Sequence, residues 1–353
     1  MKKTLAAVAI LGAFAGSALA DVTVYGKIDL GLAYTHQGDT DKVEMGSGNH
    51  SASRIGLKGS EKIGDMTVGF NYEFGMSADS GNLNTASARV SQLYVKGAYG
   101  ELGFGRYGVL DSGTGPYDTV GVTAAGTGYF GDIMDQGLVL HTPATTRWNN
   151  AITYKAPTFA GLTLLAQVAS GTEADTAEAW GKLEDGSWGI KTEEAKADRA
   201  GAEYSHDADM YYAVGAKYQA GDFGANLVYS TTEFKAGEED MNIVAGVNYN
   251  FGVAKVWLAG NYYESGVKGH DHYGFAVSVA APAFGGEFSA TAGYGEDGYA
   301  DKADKEVTMV GAAYKYPLSK QTYLYAAAGW DMSKQGATEV KTTEATFGMV
   351  HNF

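Results

Sequence analysis

The chain is 353 residues long, with 26 basic and 41 acidic residues, a formal charge of −15, 50 Gly, 24 Tyr, 5 Pro and no Cys. The acidic balance excludes a nucleic-acid binder built on a basic face, and the missing cysteines exclude disulfide frameworks and thiolate metal sites. Each Gly costs roughly 1 kcal/mol relative to Ala inside a helix, so this Gly- and aromatic-rich composition points to a large β structure.

Residues 1–20 read as an export signal. Lys2 and Lys3 give a positive start, Leu5 to Gly16 an apolar stretch, and Ala18-Leu19-Ala20 a small-x-small cleavage site before Asp21. The apolar stretch is too short and wrongly flanked for a membrane helix. Its removal leaves 333 residues (353 − 20) with 24 basic and 41 acidic side chains, a formal charge of −17. Nothing after residue 20 approaches the length of uninterrupted apolar sequence that a membrane helix needs.

From residue 22 onward the pattern has period two. Val22, Val24, Ile28, Leu30, Leu32 and Tyr34 share one face, and Thr23, Tyr25, Lys27, Asp29 and Gly31 the other. Val68, Phe70, Tyr72 and Phe74 alternate with Asn71 and Glu73. Ile243, Ala245, Val247, Tyr249 and Phe251 alternate with Asn242, Asn248 and Asn250, and Tyr273, Phe275, Val277 and Val279 with His272 and Ser278. A soluble sandwich also alternates, but three features favour a barrel in lipid. The segments run about 10–13 residues, close to the length a tilted strand needs to cross a bilayer. Aromatics such as Tyr34, Tyr94, Tyr99, Tyr262, Tyr263, Tyr314 and Tyr316 gather near strand ends, as in an interfacial girdle. Connections alternate between short, as at Ile63-Gly64 and Ala220-Gly221-Asp222, and long, as at 35–50, 108–146 and 171–209.

On that basis sixteen strands are expected, near 22–34, 51–61, 65–76, 86–99, 100–107, 147–155, 161–170, 210–220, 222–234, 241–251, 253–264, 272–281, 286–296, 306–316, 321–332 and 341–353; the segment 198–209 fits strand or loop. The fold class is all-β: a single transmembrane antiparallel β-barrel over residues 21–353, with short periplasmic turns and long outer loops. Sixteen strands enclose an aqueous lumen, where eight would be filled by side chains.

The blocks VTVYGKIDLGLAY, SRIGLKGSE, LYVKGAYGELGFGRYG and TFGMVHNF, in this order along the whole chain after the leader, resemble the Gram-negative general porin family, in particular trimeric outer-membrane porins of the Neisseria and Burkholderia type. The resemblance implies a homotrimer in outer-membrane lipid, passing ions and small hydrophilic solutes, with no cofactor and no enzymatic activity. It implies that the third outer loop, from Gly108 to Thr146, bends into the pore and sets carboxylates against a basic wall. The basic side falls on Lys27, Arg54, Arg89 and Arg147, the acidic side among Asp111, Asp118, Asp132 and Asp135, and the terminal Phe353 matches the family's barrel-assembly signal. Parity independently sets Lys27, Arg54 and Arg147 on the lumen face, opposite Ile28, Ile55 and Trp148. Arg89 fits parity less well, since its register turns Gln92 and Lys96 outward. Arg106 shares the outward face with Leu102 and Phe104 and stays off the pore, where it is free to pair across a subunit interface.

Other signals have plainer readings. Gly103, Gly105 and Gly108 spell a GxGxxG string, but no βαβ unit follows it. Val109 to Thr114 looks like an aspartic-protease string, yet that chemistry needs two copies and only one is present. His270, Asp271 and His272 sit at a polar strand end without a nucleophile, which leaves a barrel-borne hydrolase as a distant third reading. The acidic stretches 173–198 and 233–240 read as solvated loops without EF-hand spacing. The first reading is passive diffusion. The second, a substrate-specific channel for sugars, would need a file of lumen aromatics, for which Tyr25, Tyr211, Trp257 and Tyr263 are the inward candidates.

Overall fold

The computed structural model describes residues 22–84, 87–120, 139–141, 146–171, 209–234, 238–266 and 269–353, together with the backbone of 179–182 and 188–191. Sixteen antiparallel strands close into one barrel. In chain order they are β1 (Thr23–Gln37), β2 (Arg54–Ile63), β3 (Met66–Ser77), β4 (Val90–Gly97), β5 (Gly100–Gly108), β6 (Arg147–Lys155), β7 (Leu162–Ser170), β8 (Met210–Ala220), β9 (Phe223–Glu233), β10 (Glu239–Asn250), β11 (Lys255–Glu264), β12 (His270–Ala283), β13 (Gly286–Tyr299), β14 (Lys305–Pro317), β15 (Thr322–Gln335) and β16 (Thr338–Asn352). Each pairs with its neighbour in sequence, and β1 pairs with β16 from Lys27↔Asn352 to Gln37↔Thr342, so the barrel has no free edge. Among the described residues no helix is long and apolar enough to cross a membrane.

Alternation decides which face each residue takes. On β12, Tyr273 and Phe275 are 43% and 57% exposed on the outside, while His272, Ala276 and Ser278 are buried within. Outside apolar and inside polar is the inverse of a soluble protein, and it is what a bilayer-facing wall requires.

Three features depart from the sequence-based expectation. The first outer connection, expected as a loop over 35–50, is mostly a hairpin: β1 runs on to Gln37, turns through Gly38-Asp39, and residues Thr40–Ser47 pair back upon it. Gly38 has a φ of 60°, the left-handed conformation that a two-residue hairpin turn demands. The strict alternation of short and long connections also fails in the second half, where β15 and β16 are joined at the outer end by 336–337 alone. There the strands run on to 14 and 15 residues instead of giving way to a loop.

The third departure lies between β5 and β6. Gly105 pairs with Ala151 and Tyr107 with Trp148, so Asn149 and Asn150 together oppose Arg106. This is a β-bulge, with Gly105 at φ 129° and Asn150 at φ 50°. The extra residue inverts the parity of Trp148, which was expected outside and instead lies buried within, against Tyr211. A simple count of two cannot see such an insertion.

Candidate functional site

The lumen has two unlike walls. On the first, Lys27 of β1 and Arg54 of β2 stand directly opposite each other in register. Lys27 Nζ donates to Ser51 Oγ at 2.8 Å and Arg54 Nη2 to the same oxygen at 3.1 Å. Glu73 of β3 lies beside them, with Arg54 Nη1 3.8 Å from its Oε1 and Arg89 Nε 2.9 Å from that oxygen. The other Glu73 oxygen accepts from Tyr25 Oη at 3.1 Å. Arg147, the first residue of β6, donates from Nη2 to Thr114 Oγ1 in the third loop at 2.8 Å. All four expected basic residues are therefore on the inside, and three of them gather on Ser51 and Glu73.

Arg89 resolves its own parity problem. It precedes β4, which begins at Val90, so strand alternation does not govern it. Within β4 the buried inward residues are Val90 and Gln92, while Leu93 is exposed outside. Gln92, assigned outward by counting from Arg89, in fact donates to Tyr117 Oη at 2.9 Å inside the barrel. Glu73 and Ser51 were not singled out by sequence reasoning. Glu73 could have been found, because it lies on the polar face of its strand two residues from Asn71, but nothing in the sequence marks Ser51.

The second wall carries the third loop. Residues 109–120 lie within the barrel, with Val109, Leu110, Tyr117 and Val120 buried among Tyr107, Trp148, Leu165 and Tyr211. Asp111, expected to face the basic residues, is instead 3% exposed against strands β8, β9 and β10. Its carboxylate accepts from Tyr211 Oη at 2.7 Å, Ser230 Oγ at 2.6 Å and Asn242 Nδ2 at 2.9 Å. A buried carboxylate needs donors to offset desolvation, and this wall supplies three. Asp111 is thus an anchor, and the protease-like string around it holds a single, fully engaged carboxylate. Burial, and then the Glu101 carboxylate accepting its hydroxyl, hold the Tyr117 phenol well above its ordinary range. Asp118 accepts from the Val120 backbone at 3.0 Å. Asp132 and Asp135 lie outside the described residues.

The same loop returns at Val139–His141. Val139 is buried against β12 and β13, and His141 N donates to Asn261 Oδ1 at 3.1 Å. His272 points inward, 2.9 Å from Asp297 through Nδ1, while His270 stacks on Tyr299 at a centroid distance of 4.9 Å. The aromatic candidates for a sugar slide do not form a file. Tyr211 lies under Asp111, Tyr263 under His141 at 3.6 Å between centroids, and Lys255 Nζ sits 5.0 Å over Trp257.

Two remaining assignments concern the chain's ends and its outer face. Phe353 exchanges backbone hydrogen bonds with Gly26 at 2.9 and 3.1 Å, and its ring occupies the space a Cβ on Gly26 would need. Arg106 is committed within its own chain, donating to Ala88 O at 2.8 Å and to Asn149 Oδ1 at 2.8 Å.

Comparison with known proteins agrees with this geometry. A family described as Gram-negative porin matches residues 5–336. An outer membrane porin protein of Bordetella pertussis is 26% identical over 414 aligned residues, covering 100% of both chains. The anion-selective porin from Comamonas acidovorans superimposes with a TM-score of 0.68 at 22% identity, over 95% of this chain and 100% of that one. The trimer form of OmpT, from Vibrio cholerae, gives 0.67 at 15% identity, over 95% and 99%.

Proposed function

Since the chain belongs to the Gram-negative porin family, and is a non-enzymatic outer-membrane channel for passive diffusion of ions and small hydrophilic solutes, we propose that its selectivity is set on the wall formed by Lys27, Arg54, Arg89 and Arg147 and favours small anions. The observation that carries this reading is the charge balance of that wall. Among the described residues four cations stand there against Glu73 and the buried Asp29 beside Lys27, giving +2 (4 − 2) where the chain as a whole carries −15. In a narrow mouth with low-dielectric walls the field is focused, so local charge outweighs net charge. Much of the acidic excess lies in the segments 173–198 and 233–240 of the sequence, away from the residues of this wall. The relative from Comamonas acidovorans is itself described as anion-selective, which supports the same direction.

The test is the reversal potential of the purified channel in a salt gradient across a planar bilayer. A potential of the anion-selective sign is expected, and a cation-selective one would sink the proposal.

The assembly is read as a homotrimer exported behind a leader removed after Ala20. The trimeric form of a protein with the same fold supports the first part, and the small-x-small site supports the second. Light scattering in detergent should give three copies per particle, and mass spectrometry a chain beginning at Asp21. A monomer, or an intact leader on the outer-membrane protein, contradicts the corresponding half.

A further inference from the structure

His272 is buried on the inner face of β12, between two hydrogen-bond acceptors. Nδ1 lies 2.9 Å from Asp297 Oδ1 on β13, and Nε2 lies 3.1 Å from the backbone carbonyl of Val139 in the third loop. A neutral imidazole has one N–H and one lone pair. With the proton on Nδ1, the Nε2 lone pair faces the Val139 carbonyl; with it on Nε2, the Nδ1 lone pair faces a carboxylate. Only the imidazolium donates to both.

The wall around this contact is shaped to receive the loop. Gly274 and Gly295 are directly paired in register, and a Cβ on either would strike the Val139 backbone. Gly293 is a further position where a Cβ would meet Val139, there its side chain at 2.6 Å. The returning limb of the loop therefore sits on a glycine floor with His272 as its polar clasp.

We propose that His272, protonated on both ring nitrogens, latches Val139 of the third loop to the barrel wall, clamping the loop in acid and loosening it when that proton leaves. This rests on the channel reading above and adds a pH-responsive positioning residue to it. The groups facing His272 from the packed elements are Asp297 on β13, with Lys305 of β14 opposite it in register, Tyr263 on β11, Asp240 on β10, His270 on β12 itself, and His141 in the loop; Asp271 lies on the opposite face of β12. His141 does not compete for the proton, because burial, and then neighbouring His272, hold it down at about 4.

The experiment is single-channel recording of the full protein at about pH 5 and about pH 8, reading open-channel current noise. Wild type is expected to be quiet in acid and noisier at the higher pH. His272→Gln should lose the pH step, and Gly295→Ala, whose Cβ would meet the Val139 backbone first, should be noisy at both. Asp297→Asn serves where His272→Gln does not fold: removing the carboxylate should move the step to lower pH. A flat wild-type profile, a step that survives His272→Gln, or a step left in place by Asp297→Asn overturns the latch. Conduction at either pH tests the channel reading separately.

Discussion

The two lumen walls use polar residues in opposite ways. On the basic wall Lys27, Arg54, Arg89 and Arg147 outnumber their counter-charges, and Arg54 and Arg89 share one carboxylate. On the docking wall Asp111 is buried under three donors and His272 is matched by Asp297 and Val139. Among the described residues the first wall keeps an excess of positive charge, while the second commits its polar groups to holding a loop. Buried polar networks stabilise a unique arrangement when every member is satisfied, whereas selectivity needs charge that is not cancelled locally.

The largest effect comes from breaking the basic wall at its seam. Phe353 closes β16 on Gly26, next to Lys27, so deleting Phe353 should lower the amount of folded protein in the outer membrane far more than it alters channels that do form. Unchanged outer-membrane levels would contradict this.

Next is Arg54→Gln with Arg147→Gln. A charge in a focusing cleft contributes on the order of kT to the local potential, so reversal potentials should move toward cations by several-fold in permeability ratio. Lumen arginines leave no apolar cavity when shortened, so thermal stability should change little. Arg106→Gln, whose guanidinium is engaged by Ala88 and Asn149, is the control; a shift there with none in the double variant would reverse the assignment.

The docking wall responds differently. Asp111→Ala strands buried donors on Tyr211, Ser230 and Asn242, each costing about 1–3 kcal/mol if no water replaces the carboxylate. Reduced thermal stability and larger current fluctuations are expected, with selectivity nearly unchanged. If selectivity moved instead, Asp111 would have to be counted among the pore charges.

Glu73→Gln sharpens the contrast from within the basic wall. It frees Arg54 and Arg89 from their shared carboxylate and should raise anion preference modestly, read again from the reversal potential. A move toward cations would mean that Glu73 holds the arginines in place more than it neutralises them.

The smallest effect is on the first loop. Burial, with Lys315 and Lys27 adding to it, holds His50 down at about 3 from an ordinary 6.5. The docked loop therefore carries a neutral His50, while a released loop binds a proton below about 6.5. Docking is fully supported above that pH and weakens as pH falls toward about 3. Protease access to residues 48–53 should rise as the pH falls from about 7 to about 4.

Much of this was legible in the sequence. Period-two segments located all sixteen strands, most to within a few residues, because inward and outward faces have opposite polarity. Lys27 and Arg54 were legible for the same reason. Trp148 was not, since a bulge shifts parity without changing composition, and Arg89 escaped because it precedes its strand. The role of Asp111 depended on which wall the loop meets, and that choice is made by Tyr211, Ser230 and Asn242, a hundred or more residues downstream. No local pattern encodes such a contact.

The pairing of β1 with β16 has a consequence for biogenesis. Lys27 has Arg54 opposite it on one side and Asn352 on the other, so the proposed selectivity wall straddles the junction between β1 and β16. Until the final residues arrive, both terminal strands expose unpaired backbone, and the ring of charge has no enclosing perimeter. Closing that junction is the most non-local step available to the chain and is slow on that account. If the basic wall sets selectivity, as proposed, selectivity and closure are completed in one event.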